Sequence, residues 1–259
     1  METLRNIFDT HAHYSDEAFN GDRDEFLSEL PKHGICNVIN CGDDLKSSDF
    51  SVKLAAKYPY IYAAIGIHPE CANDIPQNYI KQLEALITKE KVVAVGEIGL
   101  DYHFKENAPK DIQKAVFENQ IQLALKYNLP IIVHDRDAHG DTMDILRKYK
   151  PKGVVHCFSG SVEMARECIK LGMYIGIGGA VTFKNARVPV EVAKDIPLER
   201  MLMETDCPYM SPVPFRGKRN NSKLIAYSAA KIAEIRGTTI KEILETSRKN
   251  AETLFNINN

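Results

Sequence analysis

The sequence predicts a (β/α)8 barrel in the α/β class. Three observations support this prediction: short apolar segments recur along the chain, segments with helical spacing lie between them, and the chain has the length of one barrel. It has 259 residues, of which 44% are hydrophobic and 26% are charged, the ordinary composition of a globular protein. Because a (β/α)8 barrel takes about 250 residues, we expect residues 1–259 to form a single barrel domain.

Eight apolar segments have the near-continuous hydrophobic character of strands that are covered on both faces. In chain order they are residues 7–8, 38–39, 61–65, 92–95, 131–133, 154–155, 174–177 and 201–203. Strands of this kind occur in parallel sheets whose two faces are packed against other elements. The segments therefore predict eight parallel strands.

Segments with helical spacing separate most of these strands. They cover residues 22–33, 47–57, 77–89, 110–127, 141–148, 161–171 and 223–235, with a last helix over 241–255. Pro109 precedes the clearest helix as a start signal, and Gly34 and Gly172 follow two others as C-terminal caps. Strands that alternate with helices favour right-handed crossovers and a closed barrel.

The competing fold is a doubly wound open sheet, which needs a glycine-rich phosphate-binding turn after its first strand. The residues at that place are Asp9-Thr10-His11-Ala12-His13, without a glycine. The first turn therefore favours the barrel over the open sheet.

Composition also limits the class of function and the location. The formal net charge of -2, from 33 basic and 35 acidic residues, excludes nucleic-acid binding through bulk charge but leaves a local basic patch open. The six cysteines form no C-x-x-C pair, which argues against a disulfide scaffold and a structural zinc knuckle. The first residues lack signal-peptide features, and the longest uncharged stretch, residues 171–183, is too short to span a bilayer. We therefore expect a cytoplasmic protein that does not enter the membrane.

Histidine and carboxylate side chains follow the predicted strands, where barrel active sites are built. The residues at these strand ends are His11, His13, His68, Glu97, His134, His156 and Asp206. Five of the eight histidines in the chain belong to this set. A single histidine in a protein is more often structural than a metal ligand, but this concentration at strand ends predicts a metal site.

The chemistry of these residue types points to divalent cations. Residues i and i+2 of a strand face the same side, so His11 and His13 can direct two imidazoles at one ion. Glu97 can bridge two ions through its two oxygens, and His134, His156 and Asp206 can complete the pair of sites. Imidazole and carboxylate ligands suit Zn, Mn, Ni or Mg, so the sequence predicts two divalent ions without identifying them. His68 precedes Pro69 and is either a turn residue or a substrate contact.

Seven motifs along the whole chain give it a resemblance to the TatD-type metal-dependent deoxyribonucleases of the amidohydrolase-like superfamily. They are Asp9-Thr10-His11-Ala12-His13, Gly66-Ile67-His68-Pro69, Gly96-Glu97-Ile98-Gly99-Leu100-Asp101-Tyr102, Pro130-Ile131-Ile132-Val133-His134, His156-Cys157-Phe158-Ser159-Gly160, Glu204-Thr205-Asp206-Cys207-Pro208-Tyr209 and Arg216-Gly217-Lys218-Arg219-Asn220. The resemblance implies a barrel with a two-metal centre that hydrolyses phosphodiester bonds in DNA, as a 3′-exonuclease acting on single-stranded ends. It also implies that the ligands are His11, His13, Glu97, His134, His156 and Asp206.

One motif departs from the family pattern. Many members continue the Arg-Asn pair with Glu-Pro, whereas Asn221 and Ser222 follow Asn220 here. The departure affects the surroundings of Arg219 and no predicted ligand.

The remaining roles follow from the two-metal hypothesis. We expect Asp206 to accept the proton of the attacking water, and Glu97 to hold the two ions at a fixed separation. Glu204 is expected to orient a ligating histidine rather than to bind metal itself. Arg216 and Arg219 are candidate phosphate contacts, with a solvated surface loop as the other interpretation. The aromatic residues from Tyr102 to Phe104 either stack on a base or pack within their loop.

Two other functions remain open. A cyclic-amide hydrolase or lactonase on the same barrel often bridges its metals with a carboxylated lysine at the end of strand four, where this chain has Glu97. A non-catalytic, metal-bound scaffold is the third alternative, which the intact ligand set disfavours. The sequence leaves the oligomeric state undetermined.

Overall fold

A computed structural model describes residues 4–257, in which eight parallel strands form one sheet in the order β1 to β8. The strands are Ile7–Ala12 (β1), Ile35–Cys41 (β2), Ile61–Ile65 (β3), Val92–Asp101 (β4), Ile131–Arg136 (β5), Gly153–Val155 (β6), Tyr174–Ile177 (β7) and Met201–Met203 (β8). Every predicted strand segment lies within one of them. The first three residues and the last two lie outside the described residues, and the single domain over 1–259 stays a prediction.

Helices follow the strands around the outside of the barrel. They are Arg23–Glu29 (α1), Leu45–Lys57 (α2), Tyr79–Ile87 (α3), Lys110–Lys126 (α4), His139–Tyr149 (α5), Val162–Lys170 (α6), Arg187–Asp195 (α7), Ile225–Arg236 (α8) and Ile240–Phe255 (α9). This alternation confirms the predicted (β/α)8 barrel.

Two helical segments differ from the prediction. Helix α7 was not predicted, because its sequence combines three valines with Pro189, which favour strands and turns. Pro189 is tolerated since it lies in the first turn, where a backbone N–H has no helical acceptor. The predicted helix over 22–33 ends earlier, at Glu29, and continues as a 3-10 turn that carries Pro31. Gly34 then closes this turn in the left-handed conformation, at φ 84°.

Most of the strands contribute one apolar residue to the barrel interior. The position of that residue in its strand determines which later residues of the strand also face the interior. Ile132 of β5 and Val154 of β6 belong to the interior cluster. Because alternate residues of a strand share a face, His134 and His156, two residues further on, face the same interior.

Strands β1 and β4 also direct site residues into the barrel interior, but over a spacing of three residues instead of two. From Asp9 to Ala12 β1 advances three residues while β2 advances two, from Val38 to Asn40. A residue inserted in this way re-aims the side chains that follow, as bulges beside active sites do. His11 therefore faces the interior three residues after the interior residue Phe8. The irregularity in β4 between Val95 and Ile98 has the same effect on Glu97, three residues after Ala94.

Closure between the first and last strands depends on few bonds. Within residues 4–257, the pairing of β1 with the segment after β8 is a single parallel bridge, between Ala12 and Cys207. The backbone N–H of His13 donates to the carbonyl of Cys207 over 2.8 Å, and that of Asp206 donates to His11 over 2.9 Å. Ligand candidates from the two ends of the chain are thus joined through their backbones.

Two buried glutamines of α4 hold the backbone at the mouth of the barrel. The side-chain amide of Gln120 donates to the carbonyl of Ile67 over 3.0 Å and accepts from its N–H over 2.7 Å. Gln113 makes the same two-way contact with the backbone of Asp101, at 2.9 Å each way. Helix α4 therefore fixes the segments that carry His68 and the end of β4.

We expect Gln120→Leu to lower the free energy of unfolding by about 2–4 kcal/mol, because a buried N–H and a buried C=O lose their partners. Urea unfolding monitored by circular dichroism measures the loss. Gln122→Leu, at an exposed position of the same helix, is the matched control and should change the value by about 0.5 kcal/mol or less. Equal losses in the two variants would contradict this role of Gln120.

Candidate metal centre

Glu97 lies at the centre of the histidine cluster at the carboxyl ends of the strands. Its Oε2 atom is 3.1 Å from His11 Nε2 and 3.3 Å from His13 Nε2. Its side chain is only 4% exposed, so the carboxylate meets these imidazoles away from bulk water. One oxygen of Glu97 thus faces the two histidines at the end of β1.

The other oxygen of Glu97 faces histidines from different strands. Oε1 is 2.7 Å from His156 Nε2, 2.9 Å from His134 Nδ1 and 3.5 Å from His68 Nε2. The two oxygens of one carboxylate therefore face different imidazoles, as those of a bridging ligand would, and the two groups adjoin through the stacked rings of His11 and His156, 3.9 Å apart.

Asp206 completes the first group. Its Oδ1 atom is 3.4 Å from His13 Nε2 and 3.7 Å from His11 Nε2. The side chain is 18% exposed, so this carboxylate borders both the cluster and solvent. All seven residues that the sequence singled out at strand ends are thus brought together.

The donor set fits divalent cations. Groups of atoms within 4.8 Å of one another that could hold an ion include His11 with His13 and Asp206, and Glu97 with His11 and His156. A third combines Glu97 with His68 and His134. His11 Nε2 and His13 Nε2 are 2.9 Å apart, a distance that fits a shared proton or a shared cation. Imidazole nitrogens and carboxylate oxygens together are the ligands of Zn, Mn and Ni sites.

Burial and neighbouring charges set the protonation of the cluster. Burial, together with the charge of His156, lowers the pKa of His11 to about 4 and favours the neutral imidazole that metal ligation requires. Burial opposes ionisation of Glu97, but the surrounding imidazoles of His156, His11 and His68 outweigh it and hold the pKa of that carboxyl well below its usual range. Glu97 is therefore an anion at neutral pH.

Two carboxylates of the cluster were missed by the sequence analysis. Asp101, at the end of β4, lies with Oδ2 3.0 Å from His134 Nε2. Asp43, just after β2, lies with Oδ1 3.2 Å from His13 Nδ1 and groups with His13 and Glu97 as a further candidate site. The position of Asp43 directly after a strand was a usable signal, since the same rule identified the other residues.

Asp101 fixes the direction of His134. It binds Nε2, so Nδ1 is left to face Glu97 at 2.9 Å. Burial lowers the pKa of His134, but the hydrogen bonds to Asp101 and Glu97 outweigh burial and raise the pKa to about 10. A carboxylate behind a ligating histidine orients the ring and increases its basicity.

We expect Asp101→Asn to weaken divalent-metal affinity about 10–100-fold, because the partner behind His134 loses its charge. Competition with a chelating dye measures the affinity. The matched control is Asp137→Asn, which alters a carboxylate 2.8 Å from His103, a histidine outside the cluster. Equal metal affinity in the two variants would refute the orienting role of Asp101.

Glu204 lies beneath the cluster and is almost fully buried. Its Oε1 atom accepts a 2.5 Å hydrogen bond from the backbone N–H of Cys157 and is 3.9 Å from His156 Nδ1. Burial raises the pKa of Glu204 to about 8. Gly176 leaves room for this carboxyl, since a Cβ there would overlap Glu204 Oε2. No hydrogen bond joins Glu204 to His156 at this distance, and the orienting role expected from the sequence stays a prediction.

The two predicted phosphate-contact arginines lie after β8 in different surroundings. Arg219 is held by Asp22 through two hydrogen bonds of 2.7 and 2.5 Å, and its guanidinium lies 4.6 Å from the ring of Phe19. Arg216 donates to the carbonyl of Ser211 over 3.0 Å and lies 3.9 Å from the ring of Phe183. Arg219 thus has an acidic partner, whereas the polar partner of Arg216 is a neutral carbonyl. Their role as phosphate contacts stays a prediction.

The departure at Asn221 and Ser222 has a structural use. Ser222 is buried, donates through Oγ to Asp9 Oδ2 over 2.6 Å and lies 2.8 Å from the hydroxyl of Tyr14. Asp9 also accepts from the backbone N–H of Thr205 over 3.0 Å. Ser222 therefore ties the basic loop, residues 216–219, to β1 and to the segment that carries Asp206, while Asp22 braces Arg219.

Comparison with known proteins gives one family over almost the whole chain. A sequence profile described as "TatD related DNase" matches residues 8–256. The uncharacterized metal-dependent hydrolase YabD of Bacillus subtilis is 46% identical over 255 residues, which cover 97% of this chain and 100% of that protein. The deoxyribonuclease Tat-D of Schizosaccharomyces pombe is 38% identical over 207 residues, 74% of this chain and 66% of that protein.

Solved structures agree with this result. The crystal structure of YjjV, a TatD homolog from Escherichia coli, superposes with a TM-score of 0.89 at 32% identity and covers 98% of this chain and 99% of its own. A TatD-family hydrolase from Entamoeba histolytica has the same fold, with a TM-score of 0.88 at 24% identity over 98% of this chain and 99% of its own. Within residues 4–257, no helix is both long and apolar enough to cross a membrane.

Proposed function

The chain belongs to the TatD-related DNase family of metal-dependent hydrolases, and from that premise we propose that it hydrolyses phosphodiester bonds in DNA. The proposed substrate is the single-stranded 3′ end of a DNA strand, from which the enzyme releases nucleotides. The observation that carries the proposal is the position of Glu97, whose two oxygens face two groups of metal-binding side chains.

The residues that would hold two ions divide between those oxygens. His11, His13 and Asp206 would bind one ion with Glu97, and His134 and His156 would bind the other with Glu97. When bound, two divalent cations supply a water of lowered pKa and offset the charge of the phosphate.

Asp206 is the proposed general base. Burial raises its pKa, but the hydrogen bond to His13 and the nearby imidazoles outweigh burial, so the pKa of this carboxyl lies below its usual range. The carboxylate is therefore ionised at neutral pH and able to accept a proton. Its partial exposure, 18%, places that acceptor at the solvent side of the cluster, where a water and a substrate phosphate would arrive.

A cavity beside the metal cluster is the proposed site for the DNA strand. It has a volume of about 810 Å³, and its lining includes Tyr209, the basic residues Arg216, Lys218 and Arg219, and the acidic residues Asp16 and Glu17. The ring of Tyr209 is 55% exposed and lies 6.4 Å from that of His13, so the cavity adjoins the cluster. Cations provide phosphate contacts and an exposed ring provides a stacking surface, the two features that single-stranded DNA needs.

His68 is the proposed phosphate contact inside the cluster. Its side chain is 10% exposed, and its Nε2 atom lies 3.5 Å from Glu97, the longest of the three contacts to Oε1. Its Nδ1 atom accepts a hydrogen bond from the N–H of Glu70, which leaves Nε2 facing the cluster.

Turnover of a 3′-labelled single-stranded oligonucleotide, with Mg, Mn, Ni or Zn added separately, tests the proposal. We expect metal-dependent release of labelled nucleotides, and much slower hydrolysis of dihydroorotate and simple lactones. Hydrolysis of the cyclic substrates without cleavage of DNA would assign the centre to a small-molecule hydrolase. Stoichiometric metal without turnover of any substrate would assign it to a binding protein.

A further inference from the structure

We propose that Arg136 and Phe104 form a second nucleotide contact, on the rim of the barrel opposite the basic loop. Arg136 would bind a phosphate and Phe104 would stack on a base of the DNA strand that flanks the bond being cleaved. This inference rests on the proposed function and names how the strand lies across that same site.

Arg136 is the last residue of β5, two residues beyond His134. In the strand pairing it lies opposite Asp101, the residue that binds His134. Arg136 therefore lies at the edge of the metal cluster.

Within residues 4–257, the guanidinium of Arg136 makes no direct ion pair with a carboxylate, although its charge acts on nearby Asp101. It lies 4.7 Å from the centre of the Phe104 ring, and the side chain is exposed. Arg147 and Arg166, on α5 and α6, are instead held by carboxylates at 2.7 and 2.5 Å. An exposed arginine that keeps its five N–H donors free beside a cation centre is suited to a phosphate.

Phe104 provides an aromatic surface at the same place. Its ring is half-buried and meets the ring of His103 edge-on, with centroids 4.9 Å apart and an angle of 86°. A half-buried ring is held in place by its loop and still offers area to a base, which makes stacking favourable without sequence preference.

The positions of Arg136 and Phe104 would let one strand of DNA contact them and the basic loop together. In an eight-stranded barrel, the junction of β4 with β5 lies opposite the junction of β8 with β1. Arg136 and Phe104 lie at the first junction, and Tyr209 and Arg216 lie at the second. A strand that spans both passes over the metal cluster, so the bond above Glu97 is held from its two sides.

The test compares single variants in the binding of a 5′-labelled, nuclease-resistant phosphorothioate oligonucleotide by the metal-loaded protein. Fluorescence anisotropy gives Kd between 50 and 200 mM salt. We expect Arg136→Gln to weaken binding about tenfold, because one charged hydrogen-bonded contact is lost. The slope of log Kd against log salt should fall by about 0.7, which is the value for one phosphate of a single strand. Arg136→Lys should restore the slope, and Phe104→Ala should weaken binding about 5–50-fold with the slope unchanged.

Arg200→Gln is the matched control, because its guanidinium also lies over a ring, that of Tyr174 at 5.0 Å, but at the opposite end of the barrel. Its Kd and slope should equal those of the unaltered chain. Equal behaviour of Arg136→Gln and Arg200→Gln would overturn the inference. Cleavage of unmodified DNA by the unaltered chain is measured in parallel: its absence would refute the proposed function, while the binding comparison would still decide the role of Arg136.

Discussion

Glu97→Gln is expected to reduce metal-dependent turnover of DNA by about 10³-fold, because electrostatic stabilisation at the reacting centre would depend on the ions that this carboxylate is proposed to hold. The substitution keeps the size of the side chain, but it removes the charge that both imidazole groups face. Metal content, measured by mass spectrometry on the dialysed protein, should fall by at least one ion per chain.

Glu199→Gln is the control for this experiment, since Glu199 is exposed near the amino-terminal end of the barrel. It should retain the metal content and the turnover of the unaltered chain. Retention of both quantities in Glu97→Gln would refute the bridging role of Glu97. Loss of turnover with full metal content would show that Glu97 acts on the substrate rather than on the ions.

Asp206→Asn has the second largest expected effect, a fall in turnover of about 10²–10⁴-fold, the range for removal of a general base. Asparagine retains an oxygen that can face the cluster but cannot take up the proton of a water molecule. We expect the remaining rate to rise with pH, because hydroxide replaces the lost base. Single-turnover rates on the 3′-labelled oligonucleotide between pH 6 and 9 measure this dependence.

Asp144→Asn serves as the control, since Asp144 is 74% exposed on α5. Its rate and its pH profile should match those of the unaltered chain. An Asp206→Asn variant with undiminished turnover would exclude proton transfer to Asp206. A reduced rate without any increase at high pH would limit Asp206 to binding a metal ion.

The strands could be predicted because a parallel barrel buries both faces of each one, and uninterrupted apolar segments record that burial directly. Helix α7 could not, because its burial depends on only a few side chains, among them Val192 and Ala193. Its valines and Pro189 oppose helix formation locally, so packing against the barrel outweighs local preference. Local sequence therefore predicts elements that are buried on all sides better than those that tertiary contacts stabilise.

The site residues also fall into those that the sequence predicts and those that only the structure shows. Histidines at strand ends stand out because they are rare, and strand periodicity places them at one edge of the sheet. Asp43 and Asp101 are missed because aspartates are common in loops, and their roles depend on which histidine nitrogen they meet. The three-residue spacing that directs His11 and Glu97 inward likewise depends on the register with neighbouring strands. Contacts between strands carry this information.

The closure between β1 and β8 joins predicted ligands that lie far apart along the chain. Asp206 and Cys207 follow His11 and His13 by almost two hundred residues. The bridge between Ala12 and Cys207, together with the hydrogen bond from Thr205 to Asp9, holds these histidines beside Asp206. A chain that ended before Asp206 would lack one of the proposed ligands, so the complete centre requires both the first and the last strand of the barrel.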